Sequence, residues 1–209
     1  MIHTLKSVGK LFIIATVFAL AVRLFFVEDY RIASRSMFPT HEEGDLVFIS
    51  KAAFNIRLPF STYEVFKFKR PEPGEIVAFT VPDKGIETFV KRVIAGENDR
   101  VEIKDGVLMV NGNFARLERV ESSEESKEVL PNGRSHIVNL GAEKMKDFGP
   151  IDIPKSHFFV LGDNRNESLD SRSWGPVPYS CLKGRLGFVW LSIAKNGALR
   201  SDRIGLKIQ

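Results

Sequence analysis

"ETFVKRVIAGENDRVEIKDGVLMVNGNFA", residues 87–115, decides the fold. Its first part, Thr88 to Ile94, is apolar, β-branched and aromatic around a Lys91-Arg92 pair, and closes on Ala95-Gly96. Its second part alternates and contains Asp105-Gly106 and Asn111-Gly112. Those dipeptides tolerate the positive φ that type I′ hairpin turns require, so residues 101–115 read as a β-meander. Outward in both directions the same signature returns: "DLVFIS" at 45–50, "EIVAFTV" at 75–81, "HFFVLG" at 157–162 and "GFVWLSI" at 187–193, each bounded by turn residues. Beyond residue 31 long helical periodicity is missing. The expected fold class is mainly β, built from coiled antiparallel sheets. Residues 118–135, "ERVESSEESKEVLPNGRS", are polar and turn-rich. They predict a small inserted lobe or mobile loop, placed within 113–150.

The amino-terminal end is different in kind. "LFIIATVFALAVRLFFV", 11–27, follows two lysines and precedes Glu28-Asp29. Seventeen helical residues span about 25 Å, a little short of a ~30 Å hydrocarbon layer. Arg23 lies near the end of the run, where a long side chain reaches the headgroups. The expected organisation is a cytoplasmic segment 1–10, a transmembrane anchor 11–27 and an exported body 28–209, with the positive charge inside. A cleaved leader is the alternative, because "ALA" at 19–21 offers a small-x-small site. Either reading exports the body.

Composition removes other classes. Of 30 basic and 26 acidic residues, Lys6, Lys10 and Arg23 precede the body, which is left nearly neutral. That argues against a nucleic-acid interface. The single cysteine, Cys181, excludes internal disulfides and cysteine-built zinc sites. The four histidines, His3, His41, His136 and His157, show no metal-ligand spacing, so no metal and no cofactor are expected. No phosphate-binding glycine loop is present.

What remains is serine chemistry. "RIASRSMFPTHEEGD", 31–45, places Ser34 and Ser36 in a loop just outside the apolar run. None of His41, His136 and His157 stands in a recognisable base context. Lys91 does: alternation puts it on one strand face with Phe89 and Val93, while Arg92 shares the other with Val90 and Ile94. A lysine so placed does not keep its charge cheaply and can act as a base when neutral. An edge-strand lysine guarding against aggregation is the competing reading. In "VLGDNRNESLDSRSWGPVP", 160–178, Ser168, Asp170 and Arg172 form either a hydrogen-bonded rack or an ordinary polar loop.

Taken in order, "RLFFVEDYRIASRSMFPT", "GDLVFISKAAFNIRLP", "FVKRVIAGENDRVEI", "GDNRNESLDSRSWGPV", "GRLGFVWLSI" and "RSDRIG" resemble the boxes of bacterial type I signal peptidases, membrane-anchored Ser/Lys proteases. The resemblance covers nearly the whole chain and favours the anchor over the cleaved leader. It implies Ser36 as nucleophile, Lys91 as general base, and Ser34 with the Ser36 N–H as oxyanion hole. It implies Ser168 as the residue holding the lysine amine, and an ion-pair network of Asp170, Arg172 and Arg92. Ile32, Met37, Phe89 and Val90 match the linings of shallow pockets for small side chains. The implied substrates are preprotein signal peptides cut at small-x-small sites. The implied location is the outer face of the plasma membrane, as a single-pass monomer in contact with the lipid bilayer. The sequence departs from the family's pattern at Ala33, Arg35, His41 and Asn166-Glu167. Those departures keep open a protease dedicated to one pilin-like or conjugation substrate. The apolar "FNIRLPF", 54–60, keeps open a non-catalytic tethered module that binds signal peptides.

Overall fold

The structure is a computed structural model and describes residues 2–57, 64–82, 85–120 and 124–207. The chain opens with α1 (Ile2–Phe25), followed by β1 (Val27–Arg31), a 3-10 turn at Arg35–Met37, and β2 (Asp45–Ser50). A short pair, β3 (Asn55–Arg57) and β4 (Glu64–Lys67), precedes β5 (Ile76–Thr80) and β6 (Thr88–Ala95). Next come β7 (Arg100–Lys104), β8 (Val107–Val110) and β9 (Asn113–Phe114), then β10 (Arg116–Arg119), β11 (Glu125–Val129) and β12 (Ser135–Asn139). β13 (Phe148–Asp152), β14 (His157–Leu161), the single helical turn α2 (Ser171–Trp174), β15 (Val177–Pro178) and β16 (Leu182–Ser192) complete the order.

The body is mainly β, as expected. Seven strands form one sheet in the order β1-β2-β16-β5-β6-β14-β15, with every pairing antiparallel. β16 pairs β5 through Leu182–Arg185 and β2 through Arg185–Ser192, with register shifts at Leu186/Val189 and Val189/Leu191. Such bulges bend a long strand and increase its twist, which curls the sheet. The meander is a second sheet, β13-β7-β8-β9. Its turns have Asp105 and Asn111 at φ 53° and 52°, each followed by a glycine of positive φ, which is the type I′ signature. Residues 116–139 form a third sheet, β10-β11-β12.

Three apolar cores stabilise this arrangement, and β6 feeds all of them. Ile94 and Ala95 pack with the meander around Val101, Ile103 and Leu108. Val93 packs with Phe79, Phe158 and Val160. Val90 packs with Ile32, Met37, Val47 and Ile49. β6 is thus interior to the sheet, flanked by β5 and β14. This rules out the edge-strand explanation of Lys91, because an interior strand has no open edge to guard.

α1 joins the body through Lys51, whose Nζ donates to the Arg23 and Leu24 carbonyls at 3.4 Å, and through the Arg23–Asp29 pair at 2.8 Å. Its side chains from Leu11 to Leu20 are exposed on every side. Among the described residues no helix is long and apolar enough to cross a membrane. Of the apolar stretch 54–60, residues 58–60 lie outside the described residues.

Candidate active site

The Arg35–Met37 turn and the Lys91 strand meet by construction. Ile32 and Met37 insert into the core beside Val90, which draws the Arg35–Met37 turn onto β6. From the other side Asn164 pins the turn: its backbone N–H donates to Ser36 O and its Nδ2 to Arg35 O, both at 3.1 Å. Lys91, paired opposite Val77 on β5, then points its Nζ at Ser36 Oγ, 2.6 Å away. The Val90 carbonyl accepts a second hydrogen bond from Nζ at 3.0 Å. Ser34 Oγ lies 3.1 Å from Ser36 Oγ. The two serines and the lysine, separated by 55 positions in the chain, form one cluster.

Burial sets the electrostatics. Lys91 is 4% exposed and Ser36 8%. Loss of solvent pushes the lysine pKa down from 10.5 to about 8, against the opposing fields of Asp170, Asp163 and Glu87. A substantial neutral fraction therefore exists at mildly alkaline pH, with its lone pair directed at a serine hydroxyl.

A cleft of about 320 Å³ opens over these atoms. Ile32, Met37, Phe89 and Val90 line it as expected, together with Ser34, Ser36 and Lys91. Tyr30, Ala33, Thr88 and Leu169 also line it, and these the sequence reading missed. His41 does not. It is fully buried on the far side of the turn, with Nδ1 3.6 Å from Asp45 Oδ2. His136 pairs with Glu128 at 3.2 Å, and the His157 ring meets the Lys155 carbonyl at 2.8 Å. None of these imidazoles reaches Ser36.

Two expectations change. Ser168 does not hold the lysine amine: its Oγ is buried without a hydrogen-bond partner, among the described residues. It packs instead against Gly162, where a Cβ would lie 2.1 Å from Ser168 Oγ and 2.5 Å from Ser36 O. Only a glycine permits that approach of loop and nucleophile turn. Nor does Arg92 belong to the Asp170–Arg172 pair. Arg92 makes a buried bidentate pair with Asp163, Nε to Oδ1 at 2.8 Å and Nη2 to Oδ2 at 2.7 Å, and its Nη1 donates to Gly74 O. Asp170 pairs with Arg172 at 2.8 Å and also accepts from Gly162 N at 3.0 Å, which shapes the loop beneath the nucleophile.

Behind this lies a second buried ion pair that the sequence reading did not find. Arg165, fully buried, donates from Nη1 and Nη2 to Glu128 of β11 at 2.7 and 2.5 Å. Burial pushes Glu128 up, but Arg165 and His136 outweigh it and hold its pKa at about 2. The pair clamps the third sheet onto the loop carrying Asp163 and Ser168. Among the described residues no cluster of His, Cys, Asp and Glu has the make-up to hold a metal ion.

Comparisons with known proteins give the family. The family described as signal peptidase, peptidase S26, matches residues 5–191. Signal peptidase I of Rickettsia bellii is 34% identical over 210 residues, covering 88% of this chain and 72% of that one. Signal peptidase I of Pseudomonas aeruginosa is 31% identical, covering 90% and 73%. That of Bacillus licheniformis is 34% identical over 164 residues, covering 78% and 76%. The crystal structure of a signal peptidase I from Enterococcus faecalis V583 matches with a TM-score of 0.41 at 28% identity, covering 57% of this chain and 98% of that one. The chain therefore belongs to the signal peptidase family, peptidase S26, a family of serine endopeptidases.

Proposed function

We propose that the protein removes amino-terminal signal peptides from exported preproteins at small-x-small sites, with Ser36 as nucleophile and neutral Lys91 as general base. The observation that carries the mechanism is the buried 2.6 Å contact between Nζ and Oγ. Lys91 takes the Ser36 proton as Oγ attacks the scissile carbonyl. The negative charge that develops on the carbonyl oxygen is stabilised by the Ser34 hydroxyl and the Ser36 N–H. The lysine then gives its proton to the departing amine, leaving an ester on Ser36. A water deprotonated by Lys91 cleaves that ester and restores the enzyme. The cleft walls of Ile32, Met37, Phe89 and Val90 favour small residues by excluding large ones.

The apolar run of α1 is the proposed membrane anchor. Leu11, Phe12, Ile13, Ile14, Val17, Phe18 and Leu20 are each at least 60% exposed, a surface that needs a hydrophobic partner. With Lys6 and Lys10 inside, the body lies on the outer face of the plasma membrane, and a monomer completes the site. Anchoring confines enzyme and signal peptide to one surface and raises their effective concentration.

The test uses the detergent-solubilised full chain and a preprotein with an A-x-A site. Cleavage should occur at that site, rise with pH through about 8, and vanish in Ser36→Ala and Lys91→Ala. Cleavage unchanged in either variant, or a rate flat across that range, refutes the mechanism. Activity on one preprotein out of many would instead indicate a dedicated protease, and binding without cleavage a non-catalytic module.

A further inference from the structure

We infer that a second cavity, on the other side of the nucleophile turn, is a subsite for the first residues after the scissile bond and prefers a lysine or arginine there. The inference rests on the proposed proteolytic function. This cavity has a volume of about 310 Å³ and begins at Arg35, the residue preceding the nucleophile. Glu167 lines both it and the catalytic cleft, so the two are adjoining. A substrate that lays its small residues in the apolar cleft and its carbonyl over Ser36 must continue past the turn. An extended chain advances about 3.3 Å per residue, so residues just beyond the cut run past the turn towards this cavity.

The two cavities differ in their walls. The catalytic cleft has large apolar walls, Ile32, Met37, Phe89, Val90 and Leu169, with Glu87 and Glu167 among its polar groups. The second cavity has no large apolar wall: apart from Gly141 and Ala142 it is lined by asparagines and charged residues. Asn164, 4% exposed, forms its floor and is fixed there by its bonds to Arg35 O and Ser36 O. Its amide also donates to Glu167 at 2.9 Å, which orients that carboxylate. Asn166 donates to the carbonyls of Leu140 and Glu143 at 2.6 and 2.8 Å, holding the far wall. Three carboxylates, Glu124, Glu143 and Glu167, line the cavity against the single cation Arg35, whose guanidinium lies 5.4 Å over the Phe38 ring.

This gives one role to features that otherwise have none. Arg35, Asn166 and Glu167 are residues by which the sequence departs from its family's pattern, and Glu124 and Glu143 come from the polar 118–150 region. All five line one cavity beside Ser36. A wall of polar groups and excess negative charge accepts a polar, cationic side chain and disfavours an acidic one.

The experiment compares three preproteins identical through the cleavage site, with Lys, Ala or Asp at the second to fourth positions beyond it. The full chain in detergent is assayed for kcat/KM at low and high salt. The parent should prefer Lys over Asp by about fivefold, the upper end of the range of one exposed ion pair, and salt should reduce the ratio. Glu124→Gln combined with Glu143→Gln should bring the Lys-to-Asp ratio to within about twofold of one. Glu167 is left intact, because it bonds the asparagine that pins the nucleophile. Equal rates on Lys and Asp substrates, an Asp preference, or a ratio unchanged in the double variant overturns the inference while leaving the protease reading standing. Failure of the parent to cut the Ala substrate overturns both.

Discussion

Replacing Lys91 by methionine should abolish cleavage and yet stabilise the fold, by an amount that pH controls. The lysine is 4% exposed and its folded pKa is about 8 against an ordinary 10.5. A depressed lysine pKa means that the unfolded chain binds the proton more tightly than the folded one. The penalty is complete well below pH 8 and fades as pH rises, vanishing only above 10.5, where both states become neutral. The shift corresponds to about 3 kcal/mol at pH 7, about 2 at pH 9 and under ~0.5 at pH 10.5. Methionine fills a similar volume without a charge. It loses the bonds to Ser36 Oγ and Val90 O, together costing about 1–2 kcal/mol. The net gain at pH 7 is therefore about 1–2 kcal/mol, but the hydrogen-bond loss is independent of pH. The difference between parent and variant should move by about 3 kcal/mol from pH 7 to pH 10.5, in favour of the parent. Denaturant midpoints of both proteins, measured in detergent at half-unit intervals of pH, give the curve. A constant difference would mean that Lys91 carries no shifted pKa and would undercut the lysine-base argument on stability grounds alone.

Two further substitutions probe the geometry. Ser34→Ala should lower kcat by about 10²–10³ with little change in KM, since its hydroxyl acts on charge that exists only in the transition state. An equal loss in a variant that binds a substrate peptide more weakly would point to a ground-state role instead. Gly162→Ala should disable the enzyme without touching a reacting group, because its Cβ would lie 2.5 Å from Ser36 O and 2.1 Å from Ser168 Oγ. Pairing it with Ser168→Gly tests the cause. Rescue of activity identifies the serine clash, whereas no rescue assigns the damage to the Ser36 backbone.

The fold was legible where side-chain alternation coincides with burial. β7 reads apolar at every second place and its burial follows, with Val101 and Ile103 its buried positions. The meander was legible from its turn dipeptides alone. The third sheet was not, and β11 explains why. Its buried positions are Ser126 and Glu128, so a hydrophobic period is absent and the strand resembles a polar loop. What stabilises it is a partner 37 positions away, Arg165, which no local pattern announces. The catalytic pair was half legible. One apolar strand around Lys91 fits an edge or an interior equally well, and only the neighbours β5 and β14 decide. The Arg92 partner was misassigned for a related reason. Asp163 and Asp170 lie in one loop with the same chemistry, and backbone direction, not residue type, selects between them.

Lys91 and Arg92 show how one strand supports two opposite electrostatic solutions. They are adjacent, so their side chains leave β6 on opposite faces. On one face the lysine meets a cleft and apolar packing. Among the described residues it has no directly bonded carboxylate, its hydrogen-bond partners being a hydroxyl and a carbonyl, and so its charge is disfavoured. On the other face the arginine meets Asp163 in a bidentate pair that keeps the carboxylate charged, with its burial outweighed by the guanidinium's field. The proposed catalysis needs the first environment, because a protonated lysine is no base. Positioning needs the second, because Asp163 also receives the Thr40 hydroxyl and so fixes the segment that follows the nucleophile. Exchanging the two residues would fail on both counts. Arginine does not deprotonate in the cleft, and lysine offers Asp163 a single point charge instead of a fork. A one-residue slip of β6 would make the same exchange. The bonds that set its register, to β5 across Ile76–Thr80 and to β14 across Phe159–Leu161, are therefore as necessary to the proposed chemistry as the Ser36–Lys91 contact itself.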